Sequence, residues 1–302
     1  MALPSGSGRT KGIIASNWAL ILIILAALGI RAVLFVSLKP WDNDVAELRV
    51  LTGDARSYHF LATGIAESGT FERFDSGFYL RTPGYPLFIA GVYLFSGQRP
   101  WAVLLLQIIL DSLTVLVVYG IARELGSSRR TRLIASALYA ASLLSALSSV
   151  RLMSETLFTF LFALSALWFI RGIRKKSLRW FTISGLALGC ATLVRPTAMS
   201  FFPAYMIVAA FSGIGTRRIL AGSLALFIAF FAVIAPWQAR NHRVFGRYAL
   251  SNLAWTNFCR CNVALTKSYA EKITLTEARD ELEGISFAGV DDPFERSDIY
   301  AR

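Results

Sequence analysis

An all-α bundle of membrane-spanning helices is the fold class this sequence predicts, on three observations. Long apolar runs recur along the chain, hydrophobic residues outnumber charged ones at 55% against 17%, and the mean hydropathy is +0.53. A soluble chain of 302 residues needs far more polar surface to face water. The net charge of +12 is gathered into alternate loops. That is the mark of orientation in a bilayer, not of a nucleic-acid partner.

The first apolar run, Trp18 to Leu38, is too long for the core of a secretory leader, and no small-residue cleavage motif follows it. About 20 residues at ~1.5 Å each cross the ~30 Å hydrocarbon core, so this run is a membrane anchor. Further runs at 100–122, 133–150, 155–170, 180–194, 197–211 and 219–237 bring the predicted count to about seven spans. The piece Pro83 to Phe95 has only 13 residues, the length of a re-entrant or interfacial segment. The expected organisation is a cytoplasmic N-terminus (1–17) and a transmembrane module (18–237) whose first outer loop (39–99) carries an outer-face juxtamembrane segment. A polar outer region (238–302) follows, with an amphipathic helix near Glu271 to Glu283.

Charge selects the topology. If 83–95 does not cross, the N-terminus and three loops face the cytoplasm. They hold Arg9 and Lys11; Arg123, Arg129, Arg130 and Arg132; Arg171, Arg174, Lys175, Lys176 and Arg179; and Arg217 and Arg218, against the single acid Glu124. The rest of the chain is balanced, as the positive-inside rule expects. This places Asp54, Arg81, Glu155, Arg195 and the Trp237–Asn241 segment together at the outer surface.

Each of these has a bland and a functional reading. Asp54 precedes a predicted helix through Ser68 and reads either as its N-cap or as a general base, with Tyr58 on the same face. Arg81, ahead of Pro83-Gly84-Tyr85-Pro86, is either a snorkelling cation or a guanidinium for a phosphate. Glu155 reads either as the partner of Arg151 at i,i+4 or as facing the bundle interior, where ionisable residues usually serve function. Arg195-Pro196 marks the tip of a tight helical hairpin. Asp111, in mid-span, is expected to pair structurally with Arg31. Trp237, Arg240 and Asn241 read as an interfacial belt or a further contact. Cys190, Cys259 and Cys261 supply neither a disulfide framework nor a zinc spacing, and His59 and His242 are too few for a histidine cage.

In order, these motifs resemble the integral-membrane glycosyltransferases of the GT-C fold, in the branch of the protein O-mannosyltransferases and lipid A aminoarabinose transferases. The matching residues are Asp54 with Tyr58, Arg81 to Pro86, Ser154-Glu155, Arg195-Pro196, and Pro236-Trp237-Gln238-Ala239-Arg240-Asn241 followed by Val244-Phe245-Gly246. The resemblance covers residues 15 to 262. Two departures stand out. Ala55 follows Asp54 where the family often has a second acid, which argues against a metal held by adjacent carboxylates. Relatives also carry further spans after this point, so the chain reads as a truncated member or part of a split enzyme.

The resemblance implies transfer of a sugar from a polyprenyl-phosphate carrier to a glycan, lipid or protein acceptor outside the cytoplasm, at a bacterial inner membrane. Asp54 and Glu155 would be the catalytic acids. Tyr58, Arg81, Tyr85, Arg195, Arg240 and Asn241 would bind substrate. No metal set or other cofactor is legible. The rival readings are an inactive scaffold and a transporter or flippase; the latter calls for broken helices at mid-membrane and inverted repeats, neither of which the sequence displays.

Overall fold

The computed structural model describes residues 7–71, 81–253 and 258–283. Among these every regular element is helical, and the chain is an all-α, multi-pass membrane protein. The first helix, α1 (Ser7–Leu38), is followed by α2 (Asp54–Ser68) and α3 (Gly84–Ser96). Next come α4 (Pro100–Glu124), α5 (Arg129–Ala140), α6 (Leu143–Ser149), α7 (Glu155–Lys175) and α8 (Leu178–Val194). A 3₁₀ turn, Pro196–Ser200, leads into α9 (Phe201–Ala210) and then α10 (Thr216–Phe245).

The Asn17–Leu38 part of α1, together with α4, α7 and α10, is long and apolar enough to cross a bilayer, at 22, 25, 21 and 30 residues. The α5–α6 pair adds one broken span, bent by 52°. Helix α8 has only 17 residues and α9 is shorter still, yet both connect the same two ends of the bundle. Leu178 and Ile214 border a cleft with Lys176, Arg217 and Arg218, whereas Val194 and Met199 border a cavity at the opposite end. The seven predicted runs thus correspond to four long helices, one broken pair and two short helices.

The two ends are chemically distinct. At one, Glu124 accepts from Arg171 Nε at 2.8 Å and Arg174 Nη1 at 3.3 Å, which ties the end of α4 to the end of α7. The sole acid of the basic loops is thereby satisfied. At the other end lie the starts of α2, α3 and α7 and the end of α8. Helix α3 does not run between the two ends. Its 13 residues rise about 20 Å, its first turn packs on the end of α8, and its last residue leads through Gly97 to Arg99 into the start of α4.

Close helix packing holds this geometry. Gly185 and Gly189 put a small-xxx-small pattern on α8, where an added Cβ would collide with the Leu226 carbonyl and approach Val233 Cβ to 2.8 Å. Such residues let α8 and α10 backbones come together where lipid supplies no hydrophobic drive between helices. Around that contact Phe169, Phe181, Tyr205 and Phe230 form a core shared by α7, α8, α9 and α10.

The break between α5 and α6 is not legible as a hydropathy change, and it corrects the expectation of an unbroken run at 133–150. Its freed polar groups are met by the two mid-membrane charges. Arg31 Nε donates to Asp111 at 2.5 Å, and Arg31 Nη1 donates to the Ala140 carbonyl at 2.9 Å. Asp111 Oδ1 accepts from Tyr139 and Ser145 hydroxyls at 2.6 Å each. Irregular backbone at membrane depth requires such partners. The pair closes a broken helix, as the structural reading of Asp111 expected, at a break the sequence did not display. Towards the C-terminus a further helix, α11 (Ala264–Glu271), is ended by Lys272 at φ 56°, and the helix predicted near 271–283 follows it as α12 (Leu275–Glu283).

Candidate functional site

Asp54 stands in the first turn of α2, but Gly53 is the N-cap, and the Asp54 carboxylate is turned to Arg81. Arg81 Nη2 donates to Asp54 Oδ1 at 2.7 Å and Nη1 to Oδ2 at 3.4 Å, a two-pronged pairing that only a guanidinium provides. The pair is asymmetric: the Arg81 side chain is 8% exposed and that of Asp54 is 58% exposed. The Tyr58 ring lies one turn on, its centroid 4.5 Å from Arg81 Cζ, so an aromatic face backs the cation. Arg81 Nε is buried without a partner.

A second acid–arginine pair faces the first. Glu155 opens α7, where the helix dipole favours an acid. Its partner is Arg195, not Arg151. Arg195 Nη1 donates to Glu155 Oε1 at 2.6 Å and to Ser154 Oγ at 3.3 Å. Glu155 Oε2 is buried and unpartnered. Arg195 is positioned because α8 stops there: its backbone is extended and Pro196 opens the 3₁₀ turn that follows.

Asp54, Tyr58, Arg81, Glu155 and Arg195 all line one cavity of ≈ 430 Å³ at the end of the bundle away from the basic loops. The two arginine segments are held together by Gly84, where an added Cβ would lie 2.7 Å from the Leu193 carbonyl carbon and oxygen. Thr82 reinforces the contact by donating to the Val194 carbonyl at 3.2 Å. Two carboxylates and two guanidiniums so arranged can accept a proton from a hydroxyl group and hold an anion.

The other predicted contacts lie behind the cavity wall. Tyr85 is fully buried; its hydroxyl donates to Gln107 at 2.5 Å, and its ring meets Tyr58 edge-on at 4.8 Å. Its place is to support Tyr58. Asn241 is also fully buried and donates to the Ala249 carbonyl at 2.7 Å, while Trp237 Nε1 donates to the Leu250 carbonyl at 2.9 Å. Arg240 bonds Asn241 and the Phe71 carbonyl at 3.0 and 3.3 Å and lies over the Trp237 ring. These three anchor the returning chain, which brings Tyr248, Leu250, Ser251 and Leu253 over the cavity. Those four, with Met153, Thr197 and Met199, line the cavity without having been singled out from sequence, and Thr82, Ser154 and Gln238, which stood in the motifs with no role assigned, line it too.

Residues 81–238 match the family of dolichyl-phosphate-mannose-protein mannosyltransferases. The chain belongs to this family. The matched stretch opens on Arg81 and closes on Gln238, both of which line the cavity. A further relative is the undecaprenyl phosphate-alpha-4-amino-4-deoxy-L-arabinose arabinosyl transferase of Pseudomonas paraeruginosa, 29% identical over 206 residues. That alignment covers 66% of this chain and 35% of the relative, so the chain spans about a third of that protein's length. Asp54, outside the stretch that matches the mannosyltransferase family, reaches the same cavity through its pairing with Arg81.

Proposed function

We propose that the chain carries the donor-binding and proton-accepting part of a membrane glycosyltransferase that uses a polyprenyl-phosphate sugar. The observation that carries this reading is the convergence of the Asp54–Arg81 and Glu155–Arg195 pairs in one cavity. Arg81 and Arg195 take the carrier's phosphate and stabilise the charge that grows on it as the sugar C1–O bond breaks. The acceptor hydroxyl attacks C1, its proton passes to Asp54, and the bond electrons leave with the phosphate. Glu155 holds Arg195 and orients the reacting groups. Met199 and Leu253 give the cavity apolar walls, and Phe201, 40% exposed on the next turn, continues that surface towards lipid, where a polyprenyl tail would run.

The basic loops at the opposite end support a cavity facing away from the cytoplasm, at an inner membrane if the source is bacterial. Among the described residues no group of three or more His, Cys, Asp or Glu side chains is placed to hold a metal ion.

The test is binding of undecaprenyl phosphate to the full chain in nanodiscs. Arg81→Lys and Arg195→Lys keep the charge but lose the fork, and are expected to weaken binding; the double alanine variant is expected to abolish it. A double alanine variant that binds as the parent does rules out the phosphate assignment.

A further inference from the structure

A second cavity, of ≈ 400 Å³, lies across the start of α7 from the first and shares Met153 and Glu155 with it. Its chemistry is different. The first cavity holds two arginines, whereas this one has a single arginine, Arg151, and most of its lining residues carry hydroxyl groups, among them Tyr139, Ser145, Ser148 and Thr156. Its one mid-membrane carboxylate, Asp111, is already engaged by Arg31 and by two of those hydroxyls. Two lining side-chain atoms are buried without a partner in the protein, Glu155 Oε2 and the hydroxyl of Thr156, a residue that is 3% exposed. A buried hydroxyl with no partner costs free energy unless a ligand or water completes it.

We propose that this second cavity receives the hydroxyl-bearing ring of the carrier-linked sugar, while the first takes its phosphate. The assignment rests on the donor reading above and adds where the sugar sits and what recognises it. Size fits, since small-ligand pockets run from about 300 to 1,000 Å³. So does polarity: the hydroxyl groups that make up most of its lining suit ring hydroxyls, and the two guanidiniums of the first cavity suit a phosphate. Glu155, common to both cavities, stands where the C1–O–phosphate link would pass. Thr156 is then a specificity-determining residue, because a site built to bond a hydroxyl discriminates against ligands that lack one.

Two variants separate this from a structural role. Thr156→Val is nearly isosteric and removes a hydroxyl that holds nothing in the fold. Ser148→Leu fills the pocket at a half-buried position whose hydroxyl bonds the Leu144 carbonyl. Binding of undecaprenyl phosphate, bare and carrying 4-amino-4-deoxy-L-arabinose or mannose, is measured on the full chain in nanodiscs. Thr156→Val is expected to weaken the glycosylated lipids by about 3- to 10-fold, one neutral hydrogen bond's worth. Ser148→Leu is expected to weaken them further, and the loss should appear only when sugar is present. Parent-like binding of the glycosylated lipids by both variants, or equal loss for bare and glycosylated lipid, overturns the sugar pocket. A parent chain that binds bare lipid but gains nothing from sugar also overturns it and leaves the phosphate site standing. A parent that binds neither lipid overturns both.

Discussion

Replacing Gly84 with alanine places a methyl group 2.7 Å from the backbone carbonyl of Leu193 and 2.8 Å from the Val194 nitrogen. Ordinary contact begins near 3.4 Å, so the start of α3 must move from the end of α8 by about 0.7 Å. Neither neighbour is a flexible side-chain tip that could yield. Overpacking of this kind costs about 1–3 kcal/mol. The displaced segments carry Arg81 and Arg195, and a misplacement approaching 1 Å can cost on the order of 10²-fold in a positioned reaction. Gly84→Ala is therefore expected to lower the thermal midpoint in detergent and to weaken undecaprenyl phosphate binding at least tenfold. Gly91, on the same helix, has nothing within 4 Å of an added Cβ. Gly91→Ala is expected to be neutral or to stabilise by up to about 1 kcal/mol, as glycine-to-alanine changes within helices do. Parent-like stability and lipid binding in Gly84→Ala would refute the claim that this close approach sets the spacing of the two arginines.

Three further outcomes are expected. Arg31→Met leaves Asp111 buried without its cation and the Ala140 carbonyl without its donor, so thermal stability should fall by about 3–5 kcal/mol; adding Asp111→Leu should restore part of it, and no rescue would mean the pair is not the unit that closes the helix break. Burial lowers the pKa of His59 from its ordinary 6.5, and its ring docks α2 on α3 through Tyr93, Nδ1 to hydroxyl at 2.7 Å. The unfolded chain then binds the extra proton first, so this stabilisation is full above pH 6.5 and is lost as pH falls through the lowered value; hydrogen exchange in α2 should speed up on acidification, and His59→Gln should abolish that response. In a chain stripped of its three cysteines, an impermeant thiol reagent on intact cells should label Thr52→Cys and spare Ser128→Cys; the reverse pattern would invert the proposed orientation.

The helical class, the end-to-end segregation of charge and the short α3 were all legible because each depends on composition and length along the chain. So was the gathering of Asp54, Arg81, Glu155 and Arg195, since span parity alone brings their segments to one end. Their pairing was not legible: Asp54 meets Arg81 at a separation of 27 and Glu155 meets Arg195 at a separation of 40, and local spacing instead offered a cap and an i,i+4 partner. Tyr85 looked like a binding residue because it sits in the Arg81 motif, yet helix phase turns it inward to Gln107. The break at Ser142 lies inside an apolar run, and only Arg31 and Asp111, distant in sequence, make it tolerable. The chain's return over the cavity at Tyr248–Leu253 depends on Trp237 and Asn241 reaching backbone carbonyls, which no sequence period encodes.

The proposed role of Asp54 is tested most directly by sugar transfer from a polyprenyl-phosphate donor, comparing the parent with Asp54→Asn. Asparagine keeps the shape and one oxygen to accept from Arg81, and Gly53 rather than Asp54 caps α2, so the helix and the lipid-phosphate affinity should persist. It cannot accept the acceptor's proton, and turnover should fall by about 10²–10⁴-fold. Transfer at the parent rate, with the donor bound as before, would show that Asp54 serves only to hold Arg81 and that the base lies elsewhere.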